Sequence, residues 1–260
     1  MDIREFLNEK VDLYNRPEFI LSDPVSIPHR FSKKEDIEIS GFLAATIAWG
    51  QRPVILKNAN HLMEMMDSSP HDFILHHTKN DLRPFSKFVH RTFNGTDCIY
   101  FISTLKNIYR KYEGLEKVFN YGFKNSHSLS HTIHHFRKIF FSLPHPSRTE
   151  KHVANPMANS SAKRICMYLR WMVRKDPDSY RDGVDFGLWK KIPMSSLACP
   201  LDIHSARVAR SLGLLKRKQN DWKAVIELTE KLKQFDAYDP VKYDFALFGL
   251  GINDPDIYRD

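Results

Sequence analysis

Apolar residues recur at helical spacing along almost the whole chain, and this periodicity limits the fold to helices packed on helices. Ile3, Phe6, Leu7 and Tyr14 share one face behind Asp2, a candidate N-cap. The segment from Asp36 to Trp49 is apolar nearly all round, which predicts a buried helix. Gly50 is placed to end it and Pro53 to open the next. Asp97 heads a further helix carrying Phe101, Leu105, Ile108 and Tyr112, and Leu129, Ile133, Phe136 and Phe140 mark another. Helical spacing resumes over Lys163–Arg174, behind Asp202 as far as Leu212, behind Asn220 or Asp221, and after Asp239-Pro240. No alternating strand run of useful length and no internal repeat is visible, so the predicted class is all-α.

The 260 residues suit one large domain or two small lobes with a sizeable core. Between Leu143 and Ser161 the pattern breaks into LPHPSRTEKHVANPMANSS, a loop and a candidate lobe boundary. The longest apolar run, Gly41 to Trp49, is too short to span a bilayer, and no basic-then-apolar leader opens the chain. The expected location is therefore cytoplasmic, with no membrane partner. Cys98, Cys166 and Cys199 lie far apart, which argues against a disulfide framework, a zinc ribbon or an iron–sulfur cluster. Lys and Arg number 39 against 31 Asp and Glu, leaving a net charge of +8. That excess concentrates in residues 163–218, with 13 basic and 5 acidic side chains, while residues 219–260 carry 5 basic and 9 acidic ones. Such a balance points towards a polyanion, nucleic acid before membrane surface.

Three segments could carry chemistry. Asp202 sits where an N-cap belongs, ahead of the stripe Ile203, Ala206, Ala209 and Leu212; a plain cap is the simplest role for it. On the helix from Lys163 to Arg174, Ile165, Tyr168, Leu169 and Met172 share a face. Lys163, Arg170 and Arg174 gather opposite, either as a solvated basic face or as the lining of a groove. The corner Trp49-Gly50-Gln51-Arg52-Pro53 presents a Gln-Arg pair, which serves either as solvent capping or as a probe of a duplex. The pairs His76-His77 and His134-His135, with His71-Asp72, invite a metal reading. Neighbouring histidines point to different sides of a helix, however, so no metal site is expected.

Several of these strings occur together in a known setting. KRICMYLRWMVRKD, DFGLWKKIP, PLDIHSARVARSLGL and DPVKYDFALFGLGI, with YNRPEFILSDPVSIPHRF and DIEISGFLAATIAWGQR upstream, closely resemble a bacterial family of unassigned function. PLDIHSARVARSLGL is also similar, more remotely, to the Pro-Val-Asp-x-His-x-x-Arg-Val segment of the helix-hairpin-helix DNA glycosylases, the endonuclease III and 8-oxoguanine glycosylase superfamily. That resemblance implies a two-lobed helical bundle working as one catalytic module over residues 1–260. Residues 31–143 would form the lobe with the duplex-probing corner, and residues 1–30 and 144–260 the lobe with the lysine and aspartate. The hairpin would be degenerate, because ANPMANSS contains no glycine. The spacing of the lysine and aspartate segments is closest to the archaeal 8-oxoguanine glycosylases.

By the same resemblance Asp202 is the catalytic aspartate and Gln51 the residue that enters the duplex. Lys163 matches the catalytic lysine, with Lys190 and Lys191 as alternative nucleophiles. The implied activity is a DNA glycosylase with lyase action on a damaged base, oxidised bases among the candidates, working through a lysine Schiff base without a cofactor. The partner would be double-stranded DNA, with no obligate protein partner and a nucleoid-associated location. Arg52, Arg164, Arg170, Arg174, His204 and Arg207 are the candidate DNA contacts. Trp171, Trp189, Phe245 and Phe248 are candidates to stack on a displaced base. Two rival readings are an inactive helical nucleic-acid-binding module and a metal-dependent phosphohydrolase using the histidine pairs.

Overall fold

The computed structural model describes residues 2–176 and 183–253. The chain is all-α. Its helices are α1 (Ile3–Tyr14), α2 (Pro17–Ser22), α3 (Lys34–Thr46), α4 (Arg52–Glu64), α5 (Pro70–His76) and α6 (Gly95–Lys111), then α7 (Leu115–Ser126), α8 (Leu129–Phe140), α9 (Lys163–Val173), α10 (Ile203–Ser211), α11 (Trp222–Lys233) and α12 (Tyr243–Asn253). Among the described residues the strands are β1 (Val89–His90) and β2 (Phe93–Asn94), which form a small antiparallel hairpin. Strands of two residues carry no alternation to read in a sequence. Among the described residues no helix is long and apolar enough to cross a membrane. Part of the polar stretch after α9, residues 177–182, lies outside the described residues.

The chain divides into two compact units, residues 22–153 and residues 1–21 with 154–260. The first unit extends beyond the expected limits of 31 and 143 at both ends. Turns of 3-10 helix at Pro24–Ser26 and Pro28–Arg30 bury Val25 and Ile27, so this segment belongs to the core that follows it. At the other end the 3-10 turn Ser147–His152 delivers Thr149 and His152 to Asp97, with bonds of 2.8 and 3.2 Å.

Within the 22–153 unit α3 is buried almost all round, as its composition predicts. Phe42 meets Phe101, Phe136 and Phe140 at ring-centroid distances of 5.8, 5.5 and 5.4 Å, the aromatic centre of the core. The helix starts at Lys34 rather than Asp36, and the Asp36 carboxylate, instead of capping α3, accepts the His71 N–H at 2.8 Å at the start of α5. It stops at Thr46, and Gly50 turns the chain with a φ of 108°. The helix assigned to Asp97 begins two residues earlier. Asn94 is its N-cap and Asp97 the third residue of a reciprocal capping box.

The other unit is built around α12, whose Phe245, Ala246, Leu247 and Leu250 are buried. α1 returns from the start of the chain to pack on it, tied by the Tyr243 hydroxyl donating to Asn8 at 3.0 Å. α10 packs on α12 as well.

Candidate active site and nucleic-acid interface

Asp202 caps α10 through a capping box with Ser205. Its Oδ1 accepts the Ser205 N–H at 2.9 Å, while the Asp202 N–H donates to the Ser205 hydroxyl at 3.0 Å. That arrangement commits one carboxylate oxygen to the backbone and leaves the other, Oδ2, 3.9 Å from the Lys163 ammonium. Lys163 is the first residue of α9, behind Ala162, which takes a left-handed conformation. The turn before it is fixed from outside: Asn159 donates to Asp221 at 3.0 Å and accepts the Trp222 N–H at 3.2 Å. Arg217 holds the Asp221 carboxylate in turn, well below the usual carboxylate range. The Lys163 and Asp202 side chains are 24% and 22% exposed, so a ligand can reach both. Lys190 and Lys191 are exposed, and neither pairs with Asp202 among the described residues.

The basic face predicted for α9 is not a surface. Arg170 and Arg174 are buried, because the helix is surrounded on every side. Arg170 bonds Asp185 at 3.3 Å, pairs with Asp244, and lies over the Phe245 ring at 4.2 Å. Arg174 bonds Asp176 at 2.6 Å, Asp185 at 2.9 Å and Asp239 at 2.9 Å, which pushes its guanidinium above the ordinary arginine range. Both assignments as DNA contacts are therefore corrected: these cations are neutralised inside the core. Arg164 is half-buried, and desolvation pulls its guanidinium down to about 10. His204 and Arg207 do stand exposed on α10, beside Ile203, which is 61% exposed. Trp171, Trp189 and Phe245 are buried in the core, and Phe248 is half-buried against Phe19.

A residue the sequence reading missed adjoins the pair. Asp244, on α12, is pushed up to about 6 by burial; Arg170 and Lys163 oppose that rise, and Asp202 and Asp185 add to it. An aspartate in the apolar run DFALFGLGI was the available signal, since such a group demands a cationic partner.

In the other unit Gln51 is the exposed N-cap residue of α4, its side chain making no capping bond. Arg52 is half-buried and reaches Ser22 at 3.5 Å. His90, also missed in sequence, donates from Nε2 to the Trp49 carbonyl at 3.1 Å and accepts from Asn58 at 2.8 Å, which fixes the corner.

The histidine pairs do not meet. His76 bonds Asp72, His77 bonds the Phe73 carbonyl, and among the described residues no three metal-binding side chains converge. The three cysteines are free and buried, and burial pushes their thiols up.

Neither the curated proteins nor the solved structures offer a match to this chain. Residues 23–253 match the family described as "protein of unknown function (DUF2400)", and the chain belongs to that family.

Proposed function

We propose that this protein is a DNA repair glycosylase with lyase activity, acting on a damaged base displaced from a duplex. The observation that carries the reading is the approach of Lys163 to Asp202, 3.9 Å apart and both accessible, at the starts of two helices. The displaced nucleotide offers its sugar to the Lys163 amine. Once the ammonium has released a proton to solvent, the amine forms a bond to C1′ as the glycosidic C1′–N bond breaks; the base leaves with the bonding pair and takes up a proton, and the new C1′-bound nitrogen gives up its second proton. Opening of the sugar ring gives a Schiff base, and loss of a C2′ proton then breaks the C3′–O bond and the strand. Asp202 stabilises the positive charge that develops on the sugar, worth about 4 kcal/mol at 4 Å and an effective dielectric near 20. Its bond to Ser205 keeps the carboxylate in place through the reaction. His204, Arg207 and Arg164 are the phosphate contacts of this unit, and Gln51 with Arg52 those of the corner.

Borohydride trapping tests the reading. The protein is incubated with duplexes carrying 8-oxoguanine, thymine glycol, uracil or an abasic site, then reduced. A cross-linked band is expected, and it is lost in Lys163→Ala. No band with any duplex overturns the lyase mechanism, and a band that survives Lys163→Ala moves the nucleophile to Lys190 or Lys191.

A further inference from the structure

The loop between α10 and α11 carries cations that the lysine–aspartate site does not use. From residue 207 to residue 223 there are six basic side chains against one acidic, Asp221. Lys216-Arg217-Lys218 sits at the opposite end of α10 from Asp202, and side chains of both flanking helices hold its main chain. Arg210 on α10 donates to the Arg217 and Lys218 carbonyls, each at 2.9 Å, and to the Asn220 side chain at 2.6 Å. Glu227 on α11 accepts the Lys216 N–H at 2.6 Å and the Arg217 N–H at 3.4 Å. Leu214 and Leu215, both buried, anchor the approach by donating to the Ala209 carbonyl at 2.8 and 3.1 Å.

The three cations divide into two kinds. Arg217 is committed to Asp221, the N-cap residue of α11, whose other oxygen accepts from Asn159 at 3.0 Å. Asp221 also pairs with Ser160 across an antiparallel bridge, so the loop is braced to the turn that delivers Lys163. Lys216 and Lys218 are exposed, and their ammonium groups make no hydrogen bond or ion pair among the described residues. A loop that met only water would be held better by a neutral side chain, since Arg210 adds a cation to a segment that already repels itself. A polyanion laid across the loop replaces that repulsion with attraction and releases its own counterions.

The helix itself gives the distance. α10 has nine residues, about 13 Å at 1.5 Å per residue, and the exposed His204 and Arg207 stand one turn apart along it. One strand of a duplex advances about 3.4 Å per phosphate, which sets the far end of the helix about four phosphates from a nucleotide at Asp202. We propose that Lys216 and Lys218 form a phosphate-binding arm that grips the damaged strand about four nucleotides to one side of the displaced base, in register with Lys163. The proposal rests on the reading of the protein as one that acts on damaged duplex DNA, and it adds a contact remote from the reacting nucleotide.

A scan of neutralised phosphates tests it. Fluorescence anisotropy is read on duplexes carrying a tetrahydrofuran abasic-site analogue, with single phosphates of that strand replaced in turn by uncharged methylphosphonates. Wild-type affinity is expected to fall about threefold to tenfold at one or two positions about four nucleotides from the analogue, on one side only. The double variant Lys216→Ala, Lys218→Ala is expected to bind the unmodified duplex about tenfold more weakly, with a salt slope lower by about two units. It no longer responds to the remote methylphosphonates, yet still responds to those beside the analogue. Neither ammonium bonds the rest of the protein, so the thermal midpoint of the variant stays at the wild-type value. A wild-type scan without a remote position overturns the proposal, and so does a double variant that keeps the remote response. A wild-type protein that does not bind the duplex overturns the repair reading as well. A remote response without a trapped Schiff base supports the arm and overturns only the lyase chemistry.

Discussion

Lys163 and Asp202 begin two different helices, and the ammonium of one stands 3.9 Å from the carboxylate of the other. The carboxylate does two jobs with two oxygens. Oδ1 serves the α10 backbone through Ser205, and Oδ2 faces the lysine.

Those jobs separate by substitution. Asp202→Asn keeps an oxygen for the Ser205 N–H and loses the charge, so the thermal midpoint stays close to wild type. Base release in single turnover slows about a hundred- to a thousandfold. Asp202→Ala slows it as much and also costs about 1 kcal/mol of stability, the value of a lost N-cap. A large fall in midpoint with Asn, or equal stability of the two variants, removes the division of roles.

Arg174 and Arg207 predict opposite phenotypes. Arg174→Met leaves Asp176, Asp185 and Asp239 around an uncharged side chain, and breaking such a buried network costs about 3–5 kcal/mol. Arg207→Ala is near neutral for stability, but it lowers the salt dependence of DNA binding by about one unit of slope. Chemical denaturation and salt titrations of duplex binding read the two effects. A shallower salt slope in folded Arg174→Met would return that arginine to the surface chemistry.

The contrast shows how much of the site the sequence could reveal. Asp202 was legible because an N-cap is a local event, with the aspartate followed at once by its helix; of the stripe expected to face inward, Ala206 and Ala209 are buried, whereas Ile203 is exposed and Leu212 half-buried. The facing of Lys163 was suggested only through the family resemblance, since no local rule brings two helix starts together. Arg170 and Arg174 were misread because a helical wheel sees one helix. Of their partners, Asp176 follows just past the end of α9, while Asp185, Asp239 and Asp244 come from later segments that a single wheel does not show. The fold was legible for a related reason: α3 and α8 carry their burial in their own periodicity. The β1–β2 hairpin is too short to carry any.

Asp244 gives the protein a dependence on pH with a definite sign. Its folded carboxyl titrates at about 6, raised by burial against the opposing pull of Arg170 and Lys163, and with Asp202 and Asp185 pushing it up. The native state therefore binds this proton more tightly than the unfolded chain. The stabilisation is present in full below about pH 4 and is lost as pH rises through 6. Between pH 7 and pH 5 wild-type stability should rise by about 1 kcal/mol relative to Asp244→Asn, whose amide cannot titrate. Denaturant titrations of both proteins at each pH give the difference, in which the other ionisable groups cancel. A difference that does not change with pH, or that shrinks on acidification, is incompatible with a raised carboxyl.

Gly95 tests whether the corner depends on how closely α6 approaches the chain before the hairpin. An added Cβ at Gly95 would lie 2.1 Å from the Ser86 carbonyl oxygen. Alanine favours a helix over glycine by up to about 1 kcal/mol, so propensity alone predicts that Gly95→Ala stabilises. The clash decides otherwise, because the atom it meets is backbone in the 3-10 turn Pro84–Lys87, whose Phe85 is fully buried. Relief requires moving the turn or the start of α6, and overpacking of this kind costs about 1–3 kcal/mol. Moving α6 also disturbs Asp97, which holds Arg148 and through it the Thr92 carbonyl of the hairpin turn. Gly95→Ala should therefore lower the thermal midpoint. A variant as stable as wild type would show that Ser86 yields without cost, and the hairpin would then owe its position to Arg148 and His90 alone.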